Sequence, residues 1–414
     1  GWVAAIGVVL IGSAWLGFFA YRHVDYEGEL WWQFAWAGDA PRFMRASVGA
    51  VTLLVVAVLA RLLTPVRGPS RTASSDELER AAAIVEAATE SSAHLALVAD
   101  KSLLFSESGN AFIMYDISGS SWVSMGEPVG PQDEKRELIW RFRELSESHG
   151  GKPVFYQIGT KDLTAYIDLG LVMAKLGEEA RVPLAEFELA QHKGLKRTCR
   201  QLEERGFLFR VLMPEGVASR IEDLRAVSNA WLAHVEGEEK GFSLGFFEAH
   251  YLGRGSVAGL ERESTILAFA NIWEGAGRIE ASVDLMRFMP AVAPGLMDCL
   301  LTRLILHFKE AGYAWFSLGM APLSGMHDGP IAPLWSRLGA LAFRHGERLY
   351  HFQGLRKYKE KFGPHWSPCY LASPGGMALP GVIVDLVRLI SRHRQVGQAA
   401  GSSSLETPRG ADGG

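Results

Sequence analysis

Cysteine is scarce in this chain. Cys199, Cys299 and Cys369 are the only three in 414 residues, and no two stand in a C-x-x-C spacing. This excludes a disulfide scaffold and a structural zinc site, and it fits reduced thiols. The histidines show no H-E-x-x-H or other ligand spacing, so no metal centre is expected. There is no P-loop and no G-x-S-x-G turn. Ser317, in FSLGMAPLSG, has no acid or base near it in sequence and is not read as a nucleophile. An excess of positive charge is missing too. The 42 Lys and Arg stand against 46 Asp and Glu, a formal net charge of -4. Contact with an anionic surface or a nucleic acid must therefore come from a local patch.

Apolar residues are plentiful, at 48%, and the excess is localised. Residues 2–21, WVAAIGVVLIGSAWLGFFAY, carry no charge and are long enough to cross a bilayer. Residues 46–60, between Arg45 and Arg61, read as a second span if both arginines snorkel, or else as a buried helix. Two transmembrane helices are expected. The loop between them is rich in tryptophan and acids, while Arg61, Arg67, Arg71 and Arg80 follow the second span. That charge bias predicts a multi-pass membrane protein with its large body in the cytoplasm. The chain starts at Gly1 rather than Met, which reads as a fragment or a processed form.

The expected organisation is a membrane segment (1–63), a Pro/Gly/Ser linker (64–78) and two domains (79–193 and 194–375). A C-terminal helix and low-complexity tail (376–414) follow. Ser75 is read as the cap of the first helix of the body.

Residues 123–159 and 284–319 repeat one pattern. Each is a short strand, a Pro/Gly turn, an amphipathic helix, a glycine stop and an apolar strand. The pattern predicts mixed α/β sheets containing parallel strand pairs with helical crossovers. It looks like two tandem GNAT-type (acetyltransferase) folds, joined by a helix at 194–205. The turns EPVGPQ and PAVAPG, however, carry prolines where a phosphate-cradling loop needs amide donors, so acetyl-CoA is not expected.

Two stretches carry candidate chemistry. In SVDLMRF, Asp284 interrupts an apolar strand and Arg287 lies three residues on. In a regular strand they point to opposite faces; only a bulge would bring them together. They read either as an ion pair at a strand end or as a proton-accepting pair. In FQGLRKYKEKFGPHW, Leu355, Tyr358 and Phe362 form one helical stripe. Arg356, Lys357 and Lys359 fall off it and are expected to face outward, with Lys361 close by. That face reads as solvated surface or as a phosphate-binding patch.

Taken together, SVDLMRF, FSLGMAPLSG, YHFQGLRKYKEKFGPHWSPCYLA and ELWWQFAWAGDAPRFMR resemble the bacterial aminoacyl-phosphatidylglycerol synthases, or phosphatidylglycerol lysyltransferases. The resemblance covers residues 2–372. It implies a membrane protein with a cytosolic pair of GNAT-like folds. Such an enzyme moves a lysyl or alanyl group from aminoacyl-tRNA to the glycerol headgroup of phosphatidylglycerol. The product lowers negative membrane charge and favours resistance to cationic peptides. No cofactor and no metal is implied. The partners are aminoacyl-tRNA and the lipid, with a homo-oligomer or a separate flippase segment left open. On this reading Asp284 and Arg287 are catalytic. Arg356, Lys357, Lys359 and Lys361 bind the lipid phosphate or the tRNA end, and Lys196, Arg197 and Arg200 extend a tRNA track. One departure stands out: Cys369 occupies the place of an arginine in the family's W-x-P-R-Y-L string. A Fem-like transferase acting on a peptidoglycan precursor and a non-catalytic lipid- or RNA-binding module are the rival readings.

Overall fold

The computed structural model describes residues 71–235, 239–325 and 349–391, together with Leu54. The expected membrane spans, apart from Leu54, and the tail beyond residue 391 lie outside the described residues. Among the described residues no helix is long and apolar enough to cross a membrane. The chain divides into Gly1–Val66 and Arg67–Gly414, and the fold below belongs to the second unit.

The first helix of this unit is α1 (Ser75–Ala87). Its cap is Ser74, one residue earlier than expected. Ser74 and Glu77 close a capping box that satisfies two otherwise orphaned amides. A 3-10 turn, Ser91–Val98, leads into β1 (Ser102–Phe105), β2 (Phe112–Ser118) and β3 (Ser121–Met125). The crossover helix α2 (Gln132–Ser148) returns the chain to β4 (Lys152–Ile158), which runs parallel to β3. After α3 (Leu163–Asp168), the long β5 (Val172–Pro183) reaches the linking helix α4 (Lys193–Glu204).

The second half repeats the order. It runs β6 (Leu208–Leu212), α5 (Pro214–Ser219), α6 (Ile221–His234), α7 (Ala249–Leu252), β7 (Val257–Arg262), β8 (Thr265–Glu274) and β9 (Glu280–Phe288). The second crossover helix is α8 (Leu296–Glu310), and β10 (Trp315–Pro322) pairs parallel to β9. Gly312, at φ +80, ends α8 in the left-handed conformation that a helix stop favours. Then come α9 (Leu349–Glu360), β11 (His365–Ser373) and α10 (Leu379–Ile390).

Among the described residues the two halves share one mixed sheet of 11 strands, in the order β1-β2-β3-β4-β11-β5-β10-β9-β8-β7-β6. The last strand, β11, lies between β4 and β5, and β5 lies between β11 and β10. Neither β5 nor β11 is read as a strand from the sequence. Three apolar clusters hold the sheet. One spans both halves on a single face and includes Phe112, Val154, Phe242, Phe269, Trp273, Leu285 and Val382. On the other face α2 and α3 cover the first half, while α4, α8 and α9 cover the second. Leu300, Leu304 and Phe308 of α8 are buried there, each contributing about 1.5–3 kcal/mol of transfer free energy.

Candidate functional site

Strand β9 is interrupted at Asp284, one of the candidate residues. Ile272 pairs with Val283 and Ala270 with Met286, so Asp284 and Leu285 together oppose Asn271. This is a β-bulge, and it changes which face the following residues occupy. Ala281, Val283, Met286 and Phe288 all point to the cluster under α8. Leu285 points to the shared cluster on the opposite face, and the bulge turns Asp284 and Arg287 to that side with it. The Asn271 side chain fills the gap by accepting the Leu285 N–H at 2.6 Å.

The partly buried Asp284 carboxylate is held from two sides. The Gly245 N–H donates to Oδ1 at 2.9 Å, and the Tyr251 hydroxyl donates to Oδ2 at 3.2 Å. Proton accounting fixes the direction of the second bond. Asn271 Nδ2 (3.0 Å) and Trp273 Nε1 (2.8 Å) both donate to the Tyr251 oxygen, so the single Tyr251 proton is directed at Asp284. Gly245 is required at its place, because a Cβ there would stand 1.9 Å from Asp284 Oδ2. Burial pushes the Asp284 carboxyl up to about 6, against the two hydrogen bonds and the charges of Lys101 and Arg287. A carboxylate tuned this way titrates within the working range of a general base.

Arg287 does not bond Asp284. It is buried, donates to Glu239 at 3.0 Å and to the Met286 carbonyl at 3.1 Å, and stacks over Trp231 with its Cζ 4.1 Å from the ring centre. The ion-pair alternative for Asp284 and Arg287 is thus not what is built: Arg287 pairs with Glu239, and its charge reaches Asp284 through space.

The basic segment on α9 lies elsewhere. Tyr358 and Phe362 pack into the cluster beneath α8, on the face of the sheet opposite Asp284. Lys359 does not face outward. It is buried, and its Nζ donates to the carbonyls of Gly319 (3.0 Å) and Met320 (2.9 Å), with burial lowering its pKa to about 8. The reason is local. The four residues of β10 from Ser317 to Met320 lie against three of β5, Glu179 to Arg181, and this irregularity leaves carbonyls for an amine to fill. Arg356 is paired with Glu178 and Glu360 and lies over Trp366. Lys361 bonds both oxygens of Asp298. Lys357 is exposed. Ser317 has an acid beside it after all, from β5: its hydroxyl donates to Glu179 at 2.6 Å. Cys369 is buried close by, its thiol pushed up to about 12. On α4, Leu195, Cys199 and Leu202 face the core, while Lys196, Arg197 and Arg200 are exposed.

Strands β9 and β10 separate early. They pair from Trp315/Glu280 to Ser317/Ser282 and no further. Beyond that point lies a cleft of about 520 Å³ lined by Met286, Phe288, Gly295, Asp298, Tyr358 and Lys361, among others. Among the described residues no group of His, Cys, Asp or Glu could hold a metal ion.

Residues 82–373 match the family model described as phosphatidylglycerol lysyltransferase, C-terminal. The chain belongs to this family. It is 35% identical over 306 residues to a phosphatidylglycerol lysyltransferase of Bacillus subtilis, covering 73% of this chain and 35% of that protein. A Staphylococcus xylosus protein of the same name is 33% identical over 303 residues, covering 72% and 36%. The chain therefore spans about a third of the length of these curated relatives. Among solved structures, L-PGS from Bacillus licheniformis aligns at a TM-score of 0.70 with 35% identity, over 79% of this chain and 99% of that one. A C-terminal domain of the DUF2156 type from Agrobacterium fabrum aligns at 0.70 with 40% identity, over 77% and 98%. The mixed α/β body is thus the C-terminal architecture of the lysyltransferase family.

The sequence pointed to Asp284 and Arg287 but missed Gly245, Tyr251, Asn271, Trp273 and Glu239. One signal was present. Asn271 is a lone amide in the apolar strand TILAFANIWE, where a buried polar group must have a partner.

Proposed function

We propose that this chain transfers a lysyl or alanyl group from aminoacyl-tRNA to the glycerol headgroup of phosphatidylglycerol. The observation that carries the mechanism is the Asp284 carboxylate, raised to about 6 and aimed by the Gly245 N–H and Tyr251 O–H. Asp284 accepts the proton of a glycerol hydroxyl as that oxygen attacks the aminoacyl carbonyl. The bond from that carbonyl to the tRNA ribose oxygen breaks, and the proton passes to the leaving ribose hydroxyl. One ester replaces another, so no redox partner or nucleotide is consumed. Positioning and charge supply the rate.

The finer assignments follow from the same reading. The body is a duplicated acetyltransferase-type fold, tethered to the bacterial inner membrane by two N-terminal spans and lying on the cytoplasmic side. Arg287, with Glu239, sets the field at Asp284. Lys359 braces the irregular stretch of β10 from inside, and Arg356 and Lys361 fix α9 beside the cleft. The exposed Lys357, with Lys196, Arg197 and Arg200, supplies the charge that attracts a tRNA acceptor end. Neutralising an anionic lipid is the basis for a role in resistance to cationic peptides.

The test is incubation of the protein with labelled aminoacyl-tRNA and phosphatidylglycerol vesicles. Labelled aminoacyl-phosphatidylglycerol is expected from the wild type and not from Asp284→Asn. No labelled lipid with any of the amino acids tried would sink the enzyme reading and leave a binding module.

A further inference from the structure

We propose that Asp100, in the first half, is a positioning residue for the site in the second half, acting through the segment 239–247. This rests on the reading of Asp284 as the proton-accepting group.

That segment has neither helix nor strand, yet it carries two of the contacts the site depends on. Gly245 donates to Asp284, and Glu239 pairs with Arg287 while accepting the Phe247 N–H at 3.3 Å. A stretch without backbone ladders is ordered only by what its groups bond to. Its clamp comes from a residue more than a hundred positions upstream. Asp100 is buried between the 3-10 turn and β1, and one of its oxygens accepts the Phe242 N–H at 2.8 Å. The other pairs with Lys101 Nζ at 2.5 Å. Lys101 is itself buried, donates to the Leu95 carbonyl at 3.2 Å and stands 5.9 Å from the centre of the Phe242 ring. Phe242 is left-handed, at φ +63, a conformation a bulky residue keeps only when its surroundings enforce it. Asp100, Lys101 and the Phe242 ring supply that enforcement.

The groups facing Asp284 therefore come from both halves. Tyr251 and Arg287 lie in its own half, Glu239 stands behind Arg287, and Lys101 acts from the first half. The first half is part of the machinery that holds the reactive carboxylate, rather than a passive companion.

The experiment uses the full chain. Asp100→Ala should raise hydrogen exchange at the Phe242 and Gly245 amides by about tenfold or more. It should lower kcat about tenfold while leaving KM for tRNA and lipid within about twofold. Asp100→Asn keeps an oxygen for the Phe242 N–H but removes the charge that pairs Lys101. It should therefore raise exchange at Phe242 and Gly245 and lower kcat in the same direction as the alanine variant but by less, and it serves as the readout should that variant not fold. Combining Asp100→Ala with Gly245→Ala should cost no more than Gly245→Ala alone, because both act on one contact. Unchanged exchange at Phe242 and Gly245, or losses that multiply in the double variant, would overturn the proposal. If Asp284→Asn keeps full turnover, the reading of the site fails instead, and the exchange data alone decide whether Asp100 braces the segment.

Discussion

In β3 every residue from Ser121 to Met125 is buried, and the strand pairs with β4 in unbroken parallel register. In β9 the register breaks at Asp284, and the pairing with β10 stops after Ser282. The two units share one order of strand, crossover helix and strand, and their helices pack on the same side of the sheet. Where the first closes its sheet, the second opens it. The closed unit is completed by β11 along β4 and by α10 on the opposite face, with Asp385 accepting the Ser121 hydroxyl at 2.9 Å. The open unit offers a carboxylate on one face and a cleft on the other. On the proposed reading, the first half serves as scaffold and the second as site, and the register break in β9 marks the difference between them.

The sharpest way to break this comparison is to remove the acid from each unit. Asp284→Asn should lower kcat by about 10²–10⁴. Glu127→Gln should leave it within about twofold, although Glu127, just past β3, is also raised by burial. Equal losses would show that both units carry chemistry. Asp284→Asn should also raise the melting temperature at pH 7. The folded pKa, about 6, exceeds an unfolded value near 3.9, so the folded state binds this proton more tightly. That stabilisation is complete below about pH 4 and is lost as pH rises through 6, so the advantage of the variant should vanish at low pH.

Gly245→Ala probes the same contact from the backbone. Its Cβ would displace the carboxylate, and a fall in kcat of about 10–10² is expected with KM unchanged. Near-normal turnover would show that the aim of Asp284 is not critical. Tyr251→Phe sharpens the tuning. It removes a hydrogen bond to the carboxylate, so the acid limb of the pH–rate profile should move above 6. It also leaves Asn271 and Trp273 without their acceptor, at a cost of about 1–3 kcal/mol each in unfolding measurements. The smallest effect is expected from Lys196→Ala, Arg197→Ala and Arg200→Ala combined. KM for tRNA should rise severalfold, and the difference should shrink with added salt. A KM that does not depend on salt would return α4 to an ordinary solvated face.

The repeat, the crossover helices and most outer strands were legible in the sequence because periodicity and glycine stops are local signals. The central strands were not. VMAKLGEEARVP in β5 looks like surface, yet it lies mid-sheet. Its charges are satisfied mainly by distant partners: Glu178 by Arg356 as well as by Lys175 of the same strand, Glu179 by Ser317, and Arg181 by Glu280. The same limit produced the expectation of an outward Lys359. Its helical position is compatible with exposure, and only the irregular β10 supplies the carbonyls that draw it inside.

The sequence by itself determined the family, the duplicated α/β pattern and the candidacy of Asp284, since each is carried by residues adjacent in the chain. Tertiary structure alone decided that Asp284 faces Tyr251 rather than Arg287, that the basic segment lies across the sheet from it, and that the two halves share one sheet. The physical reason is register. One extra residue in β9 changes the face of every side chain beyond it, and the bonds that make a buried carboxylate tolerable come from Gly245, Tyr251 and, through Tyr251, Asn271 and Trp273.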